Sequence, residues 1–232
     1  MAASKPISQP ASALIEAEGQ TVADYWNALA AGEETGNPKE TVCGNRARWE
    51  AFDSDRHPAL VGAVRTIKQW YNQRQPVGGA LIIAGGFGCG KTHLARAIAD
   101  LFGYAAVFYE ETKLFKSIQD GYSGQGDSEA TYIRRAWRSP LLVFDDLGSY
   151  ETDRGLAWVQ NIYRQLFDRR YEAGKAFVIT TNLSLKAGPD GRSEIEQRVG
   201  GRNFTRIMGA VEHPEYYINL FDVPDYRLRN FR

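Results

Sequence analysis

The sequence has few of the residues that build disulfide frameworks and metal clusters. Of its 232 residues, 2 are cysteine and 3 are histidine. The cysteines, Cys43 and Cys89, lie far apart in the chain and show neither CxxC nor Cys/His spacing. We therefore predict neither a disulfide framework nor a zinc site. This use of cysteine is typical of a reducing compartment, so a cytoplasmic location is expected.

The sequence also lacks a long apolar run and an excess of charge. No stretch approaches the roughly 18 consecutive apolar residues of a membrane span, and the N-terminus has no apolar signal-peptide core. The 28 basic residues balance the 28 acidic residues. Composition therefore predicts no membrane partner and no polybasic tail, and it leaves the identity of any other partner open.

The length predicts one ordinary domain with a short extension. Residues 1–57 are assigned to the extension and residues 58–232 to the main domain. The first 20 residues are rich in Ala, Ser, Pro and Gln, which favours a flexible start. Residues 21–31 carry apolar side chains at helical spacing and predict a short amphipathic helix. That helix docks either on its own domain or on a partner protein.

The main domain alternates between helical and strand patterns. Alternating strands and helices indicate an α/β fold with a parallel sheet covered by helices on both faces. Apolar runs typical of strands buried on both faces lie at residues 79–84, 105–109, 141–144, 176–181 and 216–220. Helical patterns begin at Pro58 and recur at residues 92–102, 114–120, 128–137 and 156–171.

Residues 85–92 match the pattern G-x-x-x-x-G-K-[ST] between a predicted strand and a predicted helix. Glycines at these positions let backbone N–H groups surround phosphate oxygens, and the helix N-terminus adds partial positive charge. The lysine reaches the β- and γ-phosphates, and the threonine binds Mg²⁺. We predict ATP and Mg²⁺ as cofactors. The predicted nucleotide-binding residues are Gly86, Phe87, Gly88, Cys89, Gly90, Lys91, Thr92 and His93.

A second apolar run, at residues 141–144, leads directly into Asp145 and Asp146. At the end of a parallel strand beside the phosphate loop, Asp145 is expected to hold Mg²⁺ together with Thr92. Asp146 is placed to polarise the attacking water. Because Asp146 is shorter than the Glu found in many such ATPases, we expect ATP hydrolysis to be slow.

A third buried strand ends at Asn182, which should lie between the two motifs and orient the attacking water. Five arginines follow in the C-terminal part, and an arginine from a neighbouring subunit can neutralise transition-state charge on the γ-phosphate. This arrangement predicts a homo-oligomer. The five arginines are Arg192, Arg198, Arg202, Arg206 and Arg227.

The order of these motifs resembles the AAA+ helicase loaders of the DnaC and DnaI type, with IstB-like transposition ATPases as close relatives. The resemblance extends from about Arg46 to the C-terminus. It rests on F-D-D-L-G at residues 144–148, I-T-T-N-L-S at residues 179–184 and D-Y-R-L-R at residues 225–229. The segment F-D-S-D-R-H-P at residues 52–58 also resembles the lead-in of that family.

This resemblance implies an AAA+ P-loop fold with a RecA-like sheet and with the helical lid absent or reduced. It implies Asn182 as sensor 1, Arg227 as sensor 2 and Arg202 as the arginine finger, with Arg206 as the alternative finger. Between the two Walker motifs, the family carries a helical element that lines a path for single-stranded DNA. The corresponding residues are Lys113 and Lys116, which would meet phosphates, and Tyr122, which would stack on a base.

The implied function is an ATP-dependent helicase loader. Such a protein forms a ring or spiral, binds single-stranded DNA, and delivers or opens a replicative helicase of the DnaB type. The alternative is a transposition helper of the IstB or TnsC type that binds duplex DNA and a transposase. A small-molecule kinase fits less well, because the arginines favour a site shared between subunits. A scaffold that binds ATP without hydrolysing it also stays open.

Overall fold

A computed structural model describes residues 52–74, 79–151 and 154–231 of the chain. The predicted helix at residues 21–31 and Cys43 lie outside these ranges. In the part of the chain that the structure describes, no helix is both long enough and apolar enough to cross a membrane.

Five parallel strands form the sheet, in the spatial order β2-β3-β4-β1-β5. Most of their residues are buried, because helices cover both faces of the sheet. The predicted α/β fold with a parallel sheet is confirmed. The strands are β1 at Ala80–Gly85, β2 at Ala106–Glu110, β3 at Leu141–Leu147, β4 at Ala176–Thr181 and β5 at Tyr217–Leu220.

Seven α-helices are present among the described residues. The helices predicted within residues 58–171 are all found, with ends shifted by a few residues. Helices α6 and α7 form one pair joined at Gly200, which has a φ of 85° that suits glycine. The helices are α1 at Pro58–Arg74, α2 at Lys91–Phe102, α3 at Glu111–Tyr122, α4 at Glu129–Arg138, α5 at Leu156–Glu172, α6 at Glu194–Val199 and α7 at Gly201–Ala210.

Two apolar layers hold the helices on the sheet. On one face, α1 and α2 pack through side chains such as Leu60 and Leu94. On the other face, α3 to α7 pack through side chains such as Phe115, Ile162 and Ile207. The fold is therefore a three-layer sandwich.

The strand order decides which residues meet at the carboxyl edge of the sheet. Because β4 lies between β3 and β1, the residue that follows β4 lies between the two motif-bearing strands. That residue is Asn182, at the position the sequence predicts for it. After β5, the described chain continues to a 3-10 helix at Tyr226–Phe231, which returns to the loop that follows β1.

Candidate active site

The loop between β1 and α2 has the backbone that the glycine pattern requires. Gly88 and Gly90 have φ values of 66° and 108°, a conformation that side chains other than glycine rarely adopt. Helix α2 begins at Lys91, so its N-terminus lies at the end of the loop. The loop and helix together present backbone N–H groups, as an anion site needs. Phe87, at the tip of the loop, is 71% exposed.

Lys91 lies in the centre of this site and is 7% exposed. Its ammonium donates to the carbonyl oxygens of Gly85, at 2.8 Å, and Gly86, at 2.7 Å. A third hydrogen bond, 2.8 Å long, reaches the side-chain oxygen of Asn182. The ammonium therefore already has the position from which it can exchange these oxygens for those of a phosphate.

Asp145 and Thr92 form the acidic part of the site. The Thr92 hydroxyl lies 3.1 Å from both carboxylate oxygens of Asp145, and the Thr180 hydroxyl donates to the same carboxylate at 2.6 Å. Burial raises the pKa of Asp145 above its ordinary value, and the neighbouring charge of Asp146 acts in the same direction. The hydroxyl groups of Thr180 and Thr92 oppose this rise in pKa.

Asp146 adopts a strained backbone at the end of β3. Among the described residues it is the non-glycine residue with positive φ, at 62°. Its N–H donates to the Thr180 hydroxyl at 2.8 Å, and the side-chain amide of Asn182 donates to its carboxylate at 3.0 Å. Asn182 thus connects Lys91 with Asp146. Backbone strain of this kind is concentrated at functional sites.

The donor set fits Mg²⁺ bound together with phosphate. A carboxylate and a hydroxyl oxygen, from Asp145 and Thr92, are ligands that Mg²⁺ prefers, and the ion keeps several positions for water and phosphate oxygens. Within the described residues, no group of three or more His, Cys, Asp or Glu side chains forms a metal site by itself. These side chains therefore fit a cation that arrives with a polyphosphate.

Residues 52–57, which the sequence assigns to the extension, contact the outer side of the phosphate loop. Arg56 donates to the carbonyl oxygen of Cys89 at 3.0 Å. Its guanidinium lies 4.3 Å from the centre of the Tyr226 ring and 5.7 Å from that of Phe52. Phe52 also contacts the His93 ring, with 5.1 Å between ring centres. Sequence analysis did not identify Arg56, although the lead-in motif contains it.

Arg227 lies in the C-terminal turn beside the phosphate loop. It makes a two-point ion pair with Asp225, with distances of 3.1 and 3.0 Å. This pair raises the pKa of Arg227. The guanidinium is largely exposed to solvent.

Arg202 and Arg206 lie on α7, far from the phosphate loop in the sequence, and both contact another helix. Both approach Asp168 of α5, at 3.1 and 4.0 Å respectively. The Arg202 side chain is 67% exposed and that of Arg206 is 36% exposed. Arg202 is therefore the more accessible of the two to solvent.

A buried ion pair joins the loop after β3 to α6. The carboxylate of Glu111, at the start of α3, is fully buried and accepts from Arg198 at 2.7 Å. It also accepts from the backbone N–H groups of Gly148, at 2.5 Å, and Tyr150, at 3.1 Å, and from the Tyr163 hydroxyl at 2.9 Å. Burial raises the pKa of Glu111, and these partners oppose the rise. Sequence analysis did not identify Glu111.

The three residues proposed to contact DNA lie on α3 but do not share one face. Lys113, Lys116 and Tyr122 are exposed. The nine residues from Lys113 to Tyr122 correspond to a rotation of about 180° around the helix. Lys113 pairs with Glu110 at 2.6 Å. The two lysines and the tyrosine therefore do not form a single continuous stripe.

Tyr122 instead belongs to an aromatic and cationic cluster with Arg154 and Trp158. The Arg154 guanidinium lies 5.1 Å from the centre of the Tyr122 ring and 5.8 Å from that of Trp158. The two rings are 6.5 Å apart, and the Tyr122 hydroxyl contacts Glu129. Clusters of this composition suit base stacking. Local sequence patterns do not predict this cluster, because Tyr122 is far from Arg154 and Trp158 in the sequence.

Comparisons with known proteins identify the family of this chain. The sequence profile of the IstB-like ATP binding protein family matches residues 52–189. The chain is 33% identical over 139 residues to the chromosomal replication initiator protein DnaA of Rippkaea orientalis. That match covers 58% of this chain and 29% of the relative, so the chain spans less than a third of the relative's length.

Two solved structures share the fold at low sequence identity. The DnaC helicase loader superposes with a TM-score of 0.56 at 23% identity, covering 76% of this chain and 99% of the loader. Replication initiator DnaA bound to AMPPCP and single-stranded DNA superposes with a TM-score of 0.53 at 18% identity, covering 79% and 50% of the two chains. These similarities support the AAA+ P-loop fold.

Proposed function

Because this chain belongs to the IstB-like ATP binding protein family, we propose that it is an ATP hydrolase that couples ATP to the handling of DNA. One observation carries the proposal. Lys91, Asn182 and Asp146 form a hydrogen-bonded chain beside the buried Asp145. These hydrogen bonds connect a phosphate-binding cation to a carboxylate placed for water activation. A cluster with a purely structural role does not require that connection.

In the proposed mechanism, the loop N–H groups and the N-terminus of α2 surround the phosphates of ATP. Lys91 releases the carbonyl oxygens of the loop and contacts the β- and γ-phosphates. Thr92 and Asp145 would hold Mg²⁺, and the ion would supply positive charge to the phosphate oxygens. Asp146 accepts a proton from the attacking water, while Asn182 keeps the Asp146 carboxylate oriented.

We further propose that the protein acts in DNA replication as a helicase loader. The fold that it shares with the DnaC helicase loader supports this role, as does the similarity to DnaA bound to single-stranded DNA. The expected partners are single-stranded DNA, a replicative helicase of the DnaB type and further copies of the chain. Tyr122, with Arg154 and Trp158, is the proposed stacking surface, and Lys113 and Lys116 are proposed to contact phosphates.

The alternative function is a transposition helper, and membership of the IstB-like family supports this alternative. A protein of this kind would bind duplex DNA and a transposase. The two functions therefore differ in the form of DNA that is bound. Binding of single-stranded and duplex oligonucleotides of one sequence, measured in the presence of Mg-ATP, separates them.

Lys91→Ala tests the ATP site. This substitution removes the cation at the centre of the loop, and we expect ATP binding and hydrolysis to fall below detection. We expect Asp146→Asn to keep ATP binding and to lose hydrolysis, since it removes only the water-activating charge. Binding of a fluorescent ATP analogue and release of inorganic phosphate measure the two properties.

Lys186→Ala is the matched control, because Lys186 is an exposed lysine in the loop after β4. It should bind and hydrolyse ATP like the parent protein. If Lys91→Ala also behaves like the parent protein, the assignment of the phosphate loop is wrong.

Loading of a DnaB-type helicase onto circular single-stranded DNA tests the replication role. An active ATPase that loads no helicase would contradict that role.

A further inference from the structure

The Asp225 carboxylate lies directly against the phosphate loop. A Cβ atom added to Gly88 would meet the Asp225 carboxylate at 1.6 Å, so only glycine allows this approach. The next residue, Tyr226, donates its N–H to the Gly88 carbonyl oxygen at 3.2 Å. The C-terminal turn therefore places a negative charge on the loop that is built to bind an anion.

The same carboxylate holds Arg227. Its two oxygens accept from the guanidinium at 3.1 and 3.0 Å, and one of them also accepts the Arg227 backbone N–H at 2.9 Å. The Asp225 side chain is 19% exposed and that of Arg227 is 66% exposed. The carboxylate is thus fixed while the guanidinium faces solvent and can change partner.

Two anions compete for one guanidinium when ATP binds. In the proposed site the loop N–H groups surround the phosphates, and a carboxylate in contact with Gly88 adds to the same loop a negative charge that repels bound polyphosphate. While Asp225 neutralises its charge, Arg227 attracts the terminal phosphate less strongly, and it can offer its Nε–Nη2 edge to that phosphate only by leaving Asp225. Asp225 therefore opposes ATP binding by repelling the phosphates and by holding Arg227. The hold on Arg227 affects only a nucleotide whose phosphates reach that guanidinium.

We propose that Asp225 determines nucleotide specificity by competing with the γ-phosphate for Arg227. It weakens the binding of ATP more than that of ADP. This inference rests on the proposed ATP site and on the proposed role of Arg227 as sensor 2.

Asp225→Asn tests the proposal, since it removes the charge and keeps an oxygen that accepts the Arg227 N–H. We expect the affinity for Mg-AMPPCP to rise about fivefold to tenfold and that for Mg-ADP to rise less than about threefold. Isothermal titration calorimetry measures both. Asp222→Asn is the matched control, because it removes an exposed carboxylate from the same segment. It should leave both affinities unchanged.

The double variant Asp225→Asn with Arg227→Ala isolates the competition. Without the guanidinium, the change at Asp225 should raise both affinities by the same factor, and the gain specific to Mg-AMPPCP should disappear. If Asp225→Asn leaves the ratio of the two affinities unchanged, or weakens Mg-AMPPCP binding, the proposal is wrong. Lys91→Ala in the same assay distinguishes failure of this proposal from failure of the proposed ATP site. Nucleotide binding that does not depend on Lys91 would contradict the ATP site itself.

Discussion

Asp145 shows how one residue serves function at a cost to stability. It is 2% exposed, and both this burial and the charge of the neighbouring Asp146 raise its pKa. A buried carboxylate beside a like charge destabilises the fold until a cation neutralises it. In the nucleotide-free protein, the proposed Mg²⁺ ligand therefore lowers the free energy of unfolding.

Asp145→Asn should stabilise the nucleotide-free protein by ~1 kcal/mol, in the range of substitutions that relieve a functional site. The amide oxygen still accepts the Thr180 hydroxyl, and the Thr92 hydroxyl can accept from the new amide. Thermal unfolding in EDTA measures this gain. Adding Mg-ATP should raise the unfolding temperature of the parent protein and have little effect on the variant.

Ser149→Ala is a control for general effects near β3, because Ser149 is exposed and its hydroxyl contacts the exposed Thr112 hydroxyl. It should change neither the unfolding temperature in EDTA nor the response to Mg-ATP. A destabilised Asp145→Asn protein would show instead that the hydrogen bonds of the carboxylate outweigh its burial.

At the scale of elements, the Glu111 carboxylate connects three parts of the fold. It joins the start of α3, the loop after β3 and, through Arg198, the end of α6. The loop that it holds begins two residues after Asp146, and the helix pair that it holds carries Arg202 four residues after Arg198. Glu111 therefore links the proposed hydrolytic site to the proposed intersubunit arginine through contacts that are all buried or half-buried.

Glu111→Ala should lower the free energy of unfolding by about 3–5 kcal/mol, since it leaves the half-buried Arg198 guanidinium without its carboxylate. It also leaves the N–H groups of Gly148 and Tyr150 without an acceptor. Denaturant unfolding, monitored by tryptophan fluorescence, measures the change.

Glu110→Ala is the matched control, because the neighbouring Glu110 makes an exposed ion pair with Lys113. Pairs of this kind contribute about 0–1 kcal/mol, so its unfolding curve should nearly overlap that of the parent. Equal losses for the two variants would contradict the special role of the buried pair.

The elements also show what sequence patterns predict and what they miss. The phosphate loop, Asp145 and Asn182 are predictable, because short apolar strands with polar ends have a local signature and parallel strands end at one edge. Glu111 and Arg198 are 87 residues apart in the chain. No local period distinguishes a buried charged pair from two solvated charges, so the contact emerges only in the fold.

Helices α6 and α7 were missed for a related reason. Helix α6 has 6 residues, which is shorter than a period analysis needs, and Gly200 and Gly201 interrupt the pattern between the two helices. Ser193 begins α6 by accepting from the Glu196 N–H at 3.2 Å, which is an N-cap signal that the sequence contains.

At the scale of the whole molecule, the exposed Arg202 predicts an active site shared between two copies. Mixing Arg202→Ala protein with Asp146→Asn protein should restore hydrolysis, because a mixed interface joins an intact arginine to an intact phosphate site. Each variant alone should be nearly inactive, as the loss of such an arginine costs roughly 10³ to 10⁵ in rate in other enzymes. Phosphate release at several mixing ratios measures the recovery.

Arg206→Ala in place of Arg202→Ala is the comparison, since both arginines approach Asp168 and Arg206 is less exposed. Recovery with Arg206→Ala alone would assign the shared role to Arg206. Inactive mixtures of assembled protein in both cases would place the two arginines outside a shared site, and the head-to-tail ring or spiral would lose its support.

The positive φ of Asp146 has a consequence for the evolution of this protein. Asparagine and glycine tolerate that backbone as well as aspartate does, and each is reached from an aspartate codon by a single base change. Neither carries a carboxylate. Under the proposed mechanism, one base change can therefore convert a hydrolysing ATPase into a protein that binds ATP without hydrolysing it. The fold stays intact.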